Sequence, residues 1–80
     1  MKVTVRKKET AVQVSIQTEF IKLESAMKLA NCIETGGMGK AVIQDGLVLV
    51  NGEVCTMRGK KLYQGDNFTY EGITYEIYYK

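Results

Sequence analysis

The stretch TGGMGKAVIQDG, residues 35–46, carries the residue types that hold an anion. Gly36 and Gly37 stand where a helix begins, so unpaired backbone N–H groups and the positive end of the helix dipole would face outward. Thr35 is placed to cap that helix, and Lys40 adds a positive charge in its first turns. The stretch does not fit a nucleotide loop. A P-loop needs glycine where Glu34 stands and serine or threonine where Ala41 stands, and it follows a strand rather than a helix. The dinucleotide fingerprint fails as well, because Gly37-Met38-Gly39 lacks its third glycine. A plainer alternative stays open: Gly36 and Gly37 turn the chain sharply between two helices, and Gly39 lets those helices pack closely.

Two further stretches could meet a polyanion. Lys2, Arg6, Lys7 and Lys8 crowd the N-terminus, and Arg58, Lys60 and Lys61 crowd a second short segment, on a chain whose formal net charge is only +2. Clustering on a near-neutral chain predicts a local footprint; solvated turns that happen to hold lysines are the bland equivalent. Catalysis has little to work with. There is no histidine, hence no imidazole base and no Ser-His or Cys-His pair. Glu24, Glu34, Asp45 and Glu53 are scattered singly, outside any acid–base motif, so no enzymatic activity is expected. Cys32 and Cys55 form no CxxC and lack histidine partners, so neither a metal nor a cofactor is expected. No secretory or membrane-spanning apolar run is present, which predicts a cytoplasmic chain with free thiols. A single disulfide between the two cysteines is the alternative.

A small scaffold must position these groups. Eighty residues, 45% hydrophobic and 25% charged, make one globular domain with a modest core and no room for a deep active site. AVQVSIQ alternates as a half-buried strand, and KVTV could pair with it in a hairpin through RKKET. From Lys22 the period lengthens: Leu23, Met27 and Ala30 predict an amphipathic helix from Leu23 to Cys32. A second helix follows ETGG, with Met38, Ala41 and Val42 on one face, and stops at Asp45-Gly46. LVLVNGEV predicts a type I′ hairpin, with Val48 and Val50 inward and Leu47 and Leu49 outward, or the reverse. A turn at Gly65-Asp66 and another at Glu71-Gly72 lead into further strands, the last being ITYEIYY. Helices grouped between strands give the α+β class, and the short loops predict no parallel crossover sheet. Tyr70, Tyr75, Tyr78 and Tyr79 are expected to pack in the core or at a sheet edge.

KLESAMKLA, the break at ETGGMGKAVI, DGLVLVNGEV and the closing KLYQGD together resemble the S4 RNA-binding domain (αL motif) over Lys22 to Asp66. The pieces G-x-V-x-V-N-G, Gly46 to Gly52, and Gly65-Asp66 fall at that family's spacing. Within it, TGGMGK and MRGKKL are most similar to the small stand-alone bacterial proteins of the YaaA/YbcJ type, although Gly39 stands where alanine is usual. The resemblance implies two short helices packed on a small, mainly antiparallel sheet, to which the alternating segments outside it add an N-terminal strand or hairpin. The chain is thus expected to comprise an extension at 1–19, the S4-like part at 20–70 and a terminal strand at 71–80, in one compact domain. It also implies a non-catalytic monomer that binds structured RNA, ribosomal or transfer, with a ribosomal subunit or assembly particle as the larger partner and no membrane. Carried over by position, the RNA-facing residues are Lys22, Thr35, Gly36, Gly37, Lys40, Asn51, Arg58, Lys60 and Lys61. The competing function is a protein-interaction adaptor that offers ITYEIYY as an exposed edge strand.

Overall fold

A computed structural model describes residues 11–79; the KVTV hairpin and the basic residues 2–8 lie outside them. Strand β1, Val12–Ile16, buries Val14 and Ile16 and turns Gln13 and Ser15 away, as its alternation requires. A two-residue strand, β2, Ile21–Lys22, runs directly into helix α1, Leu23–Leu29. That helix ends short of the expected Cys32. Asn31 takes a left-handed backbone, φ 63, and its N–H donates to Lys28 O at 3.0 Å while that of Cys32 donates to Met27 O at 2.8 Å. Two such bonds close a Schellman motif, and asparagine tolerates the left-handed position that closes it.

Helix α2, Gly36–Gln44, ends the same way at Gly46, with Leu47 N–H donating to Val42 O at 3.1 Å. Its inward face differs from the expectation. Gly39 and Ile43 are buried and Val42 is half-buried, whereas Met38 is 41% exposed and Ala41 is exposed. The buried stripe is rotated because the close approach to α1 occurs at a glycine, which hydrophobic periodicity does not count.

Strands β3, Val48–Val50, and β4, Glu53–Val54, flank the Asn51-Gly52 turn, whose φ values of 52 and 87 suit the expected type I′ hairpin. Val48 and Val50 face the core, and Leu47 is exposed. After the short β5, Lys61–Leu62, come β6, Asn67–Tyr70, and β7, Ile73–Tyr79, joined by a second turn of this kind at Glu71-Gly72. The main sheet runs β1-β7-β6-β3-β4, and β2 pairs with β5 beside it.

Two topological expectations are corrected. First, β1 and β7 pair in parallel, Val12 opposite Tyr75 and Ile16 opposite Tyr79. Short loops exclude a parallel partner only between neighbours in sequence, and here most of the chain serves as the crossover. Second, ITYEIYY is no edge strand: β7 is bonded to β1 on one side and β6 on the other. The adaptor reading loses the feature on which it rested.

The core joins Leu23, Ala26 and Met27 of α1 and Ile43 of α2 to Val14, Val48, Phe68 and Ile77 of the sheet, so both helices cover one sheet face. Phe68 and Tyr75, opposite each other in register, stack at 4.8 Å. Full burial of each such side chain stabilises the fold by about 1.5–3 kcal/mol. Tyr70 and Tyr75 are thus core residues, while Tyr78 and Tyr79 remain about half exposed. Cys32 and Cys55 are free thiols. Burial raises the Cys32 thiol above its ordinary range, and its hydrogen bond with Cys32 is the largest cause pushing the Tyr75 phenol up to about 12. Both groups are neutral near pH 7 and belong to packing.

Candidate functional site

The first turn of α1 begins at Lys22, which makes no side-chain cap. The open N–H groups of such a turn need acceptors, and the basic loop supplies them. Leu23 N–H donates to Lys60 O at 2.8 Å, and Glu24 N–H donates to Arg58 O at 3.2 Å. The segment carrying Arg58, Lys60 and Lys61 is therefore fixed by its backbone, leaving its side chains toward solvent. Arg58 Nη1 lies 3.8 Å from Glu24 Oε1, with the two side chains 46% and 25% exposed. A pair so screened contributes at most about 1 kcal/mol.

Glu24 also touches the glycine joint. Its Oε2 lies 3.0 Å from where a Cβ on Gly36 would sit, and its Cγ lies 3.2 Å from one on Gly39. A Cβ at Gly39 would further come within 2.6 Å of Ile33 Cδ1. Gly39 is thus the point where α1 and α2 press together, as the packing alternative held. Gly37 is different: it is exposed, and its nearest neighbour to an added Cβ is Thr35 Oγ1 at 3.9 Å. Thr35 caps the helix as expected, accepting from Met38 N–H at 3.1 Å. The Glu24 carboxylate lies beside the positive end of α2, an internal anion that the sequence did not reveal.

Across the β2–β5 ladder Lys22 stands directly opposite Lys61, both exposed. Like charges directly opposite each other disfavour a strand pair. Lys61 Nζ also sits 4.8 Å over the ring of Phe20, a cation–π contact absent from any sequence pattern. Lys22, Arg58, Lys60 and Lys61 are thereby gathered at the start of α1, and Glu24 links them to Gly36 at the start of α2. Lys40 is exposed on α2, one residue beyond the helix contact.

Asn51 has a different place. Its Nδ2 donates to Asp66 Oδ1 at 3.3 Å, and its Oδ1 accepts from Asn67 N–H at 3.1 Å. Asp66 Oδ2 in turn accepts from Tyr63 N–H at 2.7 Å. The Asn-Gly and Gly-Asp motifs, distant in sequence, form one clasp. Asn51 shares with Lys60 the wall of a groove of about 460 Å³ beside the hairpin, but its amide is already engaged within the fold.

The family model described as the S4 domain matches residues 14–78. A Bacillus subtilis (strain 168) protein named "Probable ribosome maturation protein RlbA" is 48% identical over 60 residues, covering 75% of this chain and 84% of that protein. The family match takes in most of β1 and nearly all of β7, beyond the segments that first suggested the likeness: the chain belongs to the S4 domain family.

Proposed function

We propose that this chain is a non-catalytic module that binds structured RNA, ribosomal RNA or a ribosome-assembly particle in particular, through the basic surface at the start of α1. Family membership and a relative named for ribosome maturation support an RNA-binding, ribosome-related role. One observation carries the choice of surface: Lys22 and Lys61 stand in register across β2 and β5, where like charges disfavour the strand pair, next to a loop that presents Arg58 and Lys60. Such an arrangement makes physical sense where a polyanion neutralises it.

Lys22, Arg58, Lys60 and Lys61 contact phosphates, with Lys40 extending the surface along α2. Thr35 fixes the start of that helix so that the exposed Gly37 brings its backbone N–H to a phosphate, with Gly36 beside it held against the Glu24 carboxylate. Asn51 acts as a positioning residue that holds the hairpin against Asp66. Structured RNA is recognised largely by shape, phosphates and 2′-hydroxyls, so a shallow rigid surface suffices. The module acts as a monomer in the cytoplasm, with transfer RNA as the competing structured ligand.

Ionic strength provides the test. With about four phosphate contacts, affinity for ribosomal RNA should fall about a hundred-fold between 50 and 200 mM salt. Arg58→Glu/Lys60→Glu/Lys61→Glu should abolish binding while the thermal transition stays cooperative. A triple variant that binds RNA as tightly as the parent would overturn the assignment.

A further inference from the structure

Beside the basic ladder lies an open cleft of about 360 Å³, lined by Glu19, Tyr63, Gln64 and Tyr79. Its volume falls in the range of about 300–1,000 Å³ that small-ligand sites occupy. Two of its walls are aromatic and accessible, Tyr63 at 42% and Tyr79 at 50%. We propose that this cleft takes up one unpaired nucleobase of the bound RNA, stacked on Tyr63, while Lys61 holds the adjoining phosphate. The inference rests on the RNA-binding reading and adds a site that reads unpaired nucleotides.

Three observations favour a base over other occupants. The first is rigidity. The Tyr63 backbone is tied to Asp66 at 2.7 Å, and its ring leans on Phe20 with centroids 5.8 Å apart and planes at 50°. Gln64 Oε1 accepts from Tyr79 N–H at 3.2 Å, which ties the end of β7 to the turn that carries Tyr63. Fixed rings lose little freedom on stacking.

The second is the sign of charge. Glu19 makes the cleft itself unfavourable for phosphate, whereas Lys61 stands next to it over Phe20. A neutral flat group inside and a phosphate outside match that pattern, and a nucleotide within a chain provides both. The third is hydrogen bonding. The Glu19 carboxylate accepts and the Gln64 amide N–H₂ donates, complementing the donors and acceptors along a base's Watson–Crick edge.

The probe is a synthetic RNA hairpin with a single unpaired 2-aminopurine, set against the same hairpin with that residue fully paired. Binding of the parent protein should quench the unpaired fluorophore and leave the paired one unchanged. Tyr63→Ala should remove the quench and weaken the bulged hairpin about five- to hundred-fold, the effect of losing one base–aromatic stack. Its affinity for the paired hairpin should not change. Tyr63→Phe should behave as the parent, and Tyr79→Ala should weaken the bulged hairpin alone by removing the cleft's second aromatic side chain.

Unchanged fluorescence on binding, or equal losses for both hairpins with Tyr63→Ala, would overturn the site. If Arg58→Glu/Lys60→Glu/Lys61→Glu abolishes binding while Tyr63→Ala alters nothing, the base site alone falls. If the parent binds neither hairpin, the RNA reading falls and the base site with it.

Discussion

A methyl group added at Gly39 would come within 2.6 Å of Ile33 Cδ1, the end of a side chain that is itself buried. Overpacking of this kind costs about 1–3 kcal/mol, against about 1 kcal/mol gained from replacing glycine by alanine in a helix. Gly39→Ala should therefore lower stability by about 1 kcal/mol, seen as a lower urea midpoint at unchanged slope. Gly37→Ala should do the opposite. Its added Cβ meets nothing closer than 3.9 Å, so the variant gains about 0.5 kcal/mol. If that backbone meets a phosphate, RNA affinity drops at the same time. Residue chemistry alone left both roles open for these glycines, because a residue without a side chain has no polarity to show what faces it. The positions of Glu24 and Ile33 separate them, and neither is adjacent in sequence to Gly39.

At the scale of elements, the clasp between the hairpin and β6 decides how firmly the groove is held. A double-mutant cycle of Asn51→Ala and Asp66→Ala should give a coupling of about 0.5–1.5 kcal/mol. Asn51→Gly should cost less than Asn51→Ala, since glycine keeps the φ of 52 without strain. The turns were legible in the sequence because each depends on two adjacent residues whose backbone preference is written in their type. Helix ends were less so. Asn31 stops α1 through bonds to Lys28 and Met27, and an asparagine within an amphipathic pattern reads equally well as a solvent-facing position. Least legible was the loop that caps α1: the Arg58 and Lys60 carbonyls reach a helix start far upstream in the chain, and carbonyls are common to all residue types. The aromatic cleft was missed for a related reason, because Glu19, Tyr63, Gln64 and Tyr79 come together only after β5 and β7 are in place.

For the molecule as a whole, class and core followed from alternation and period, whereas the parallel pairing of β1 with β7 did not. Pairing of strands so distant in sequence leaves no local mark: Val14 faces the core in either strand direction. The same holds for Lys22 and Lys61, which are unremarkable where they stand in sequence and adjacent only across β2 and β5. That adjacency links folding to occupancy. In the empty protein two lysines stand in register across the ladder, an arrangement that disfavours the strand pair, and any polyanion lying over both favours the folded state by mass action. The thermal midpoint should thus rise with inorganic polyphosphate at constant ionic strength, by an amount equivalent to about 2.7 kcal/mol at a hundred times the dissociation constant. Lys22→Gln, which leaves the Lys61–Phe20 contact in place, should raise the midpoint of the free protein and flatten that response. The melting temperature then becomes a reporter of charge neutralisation, readable before any natural RNA target is in hand.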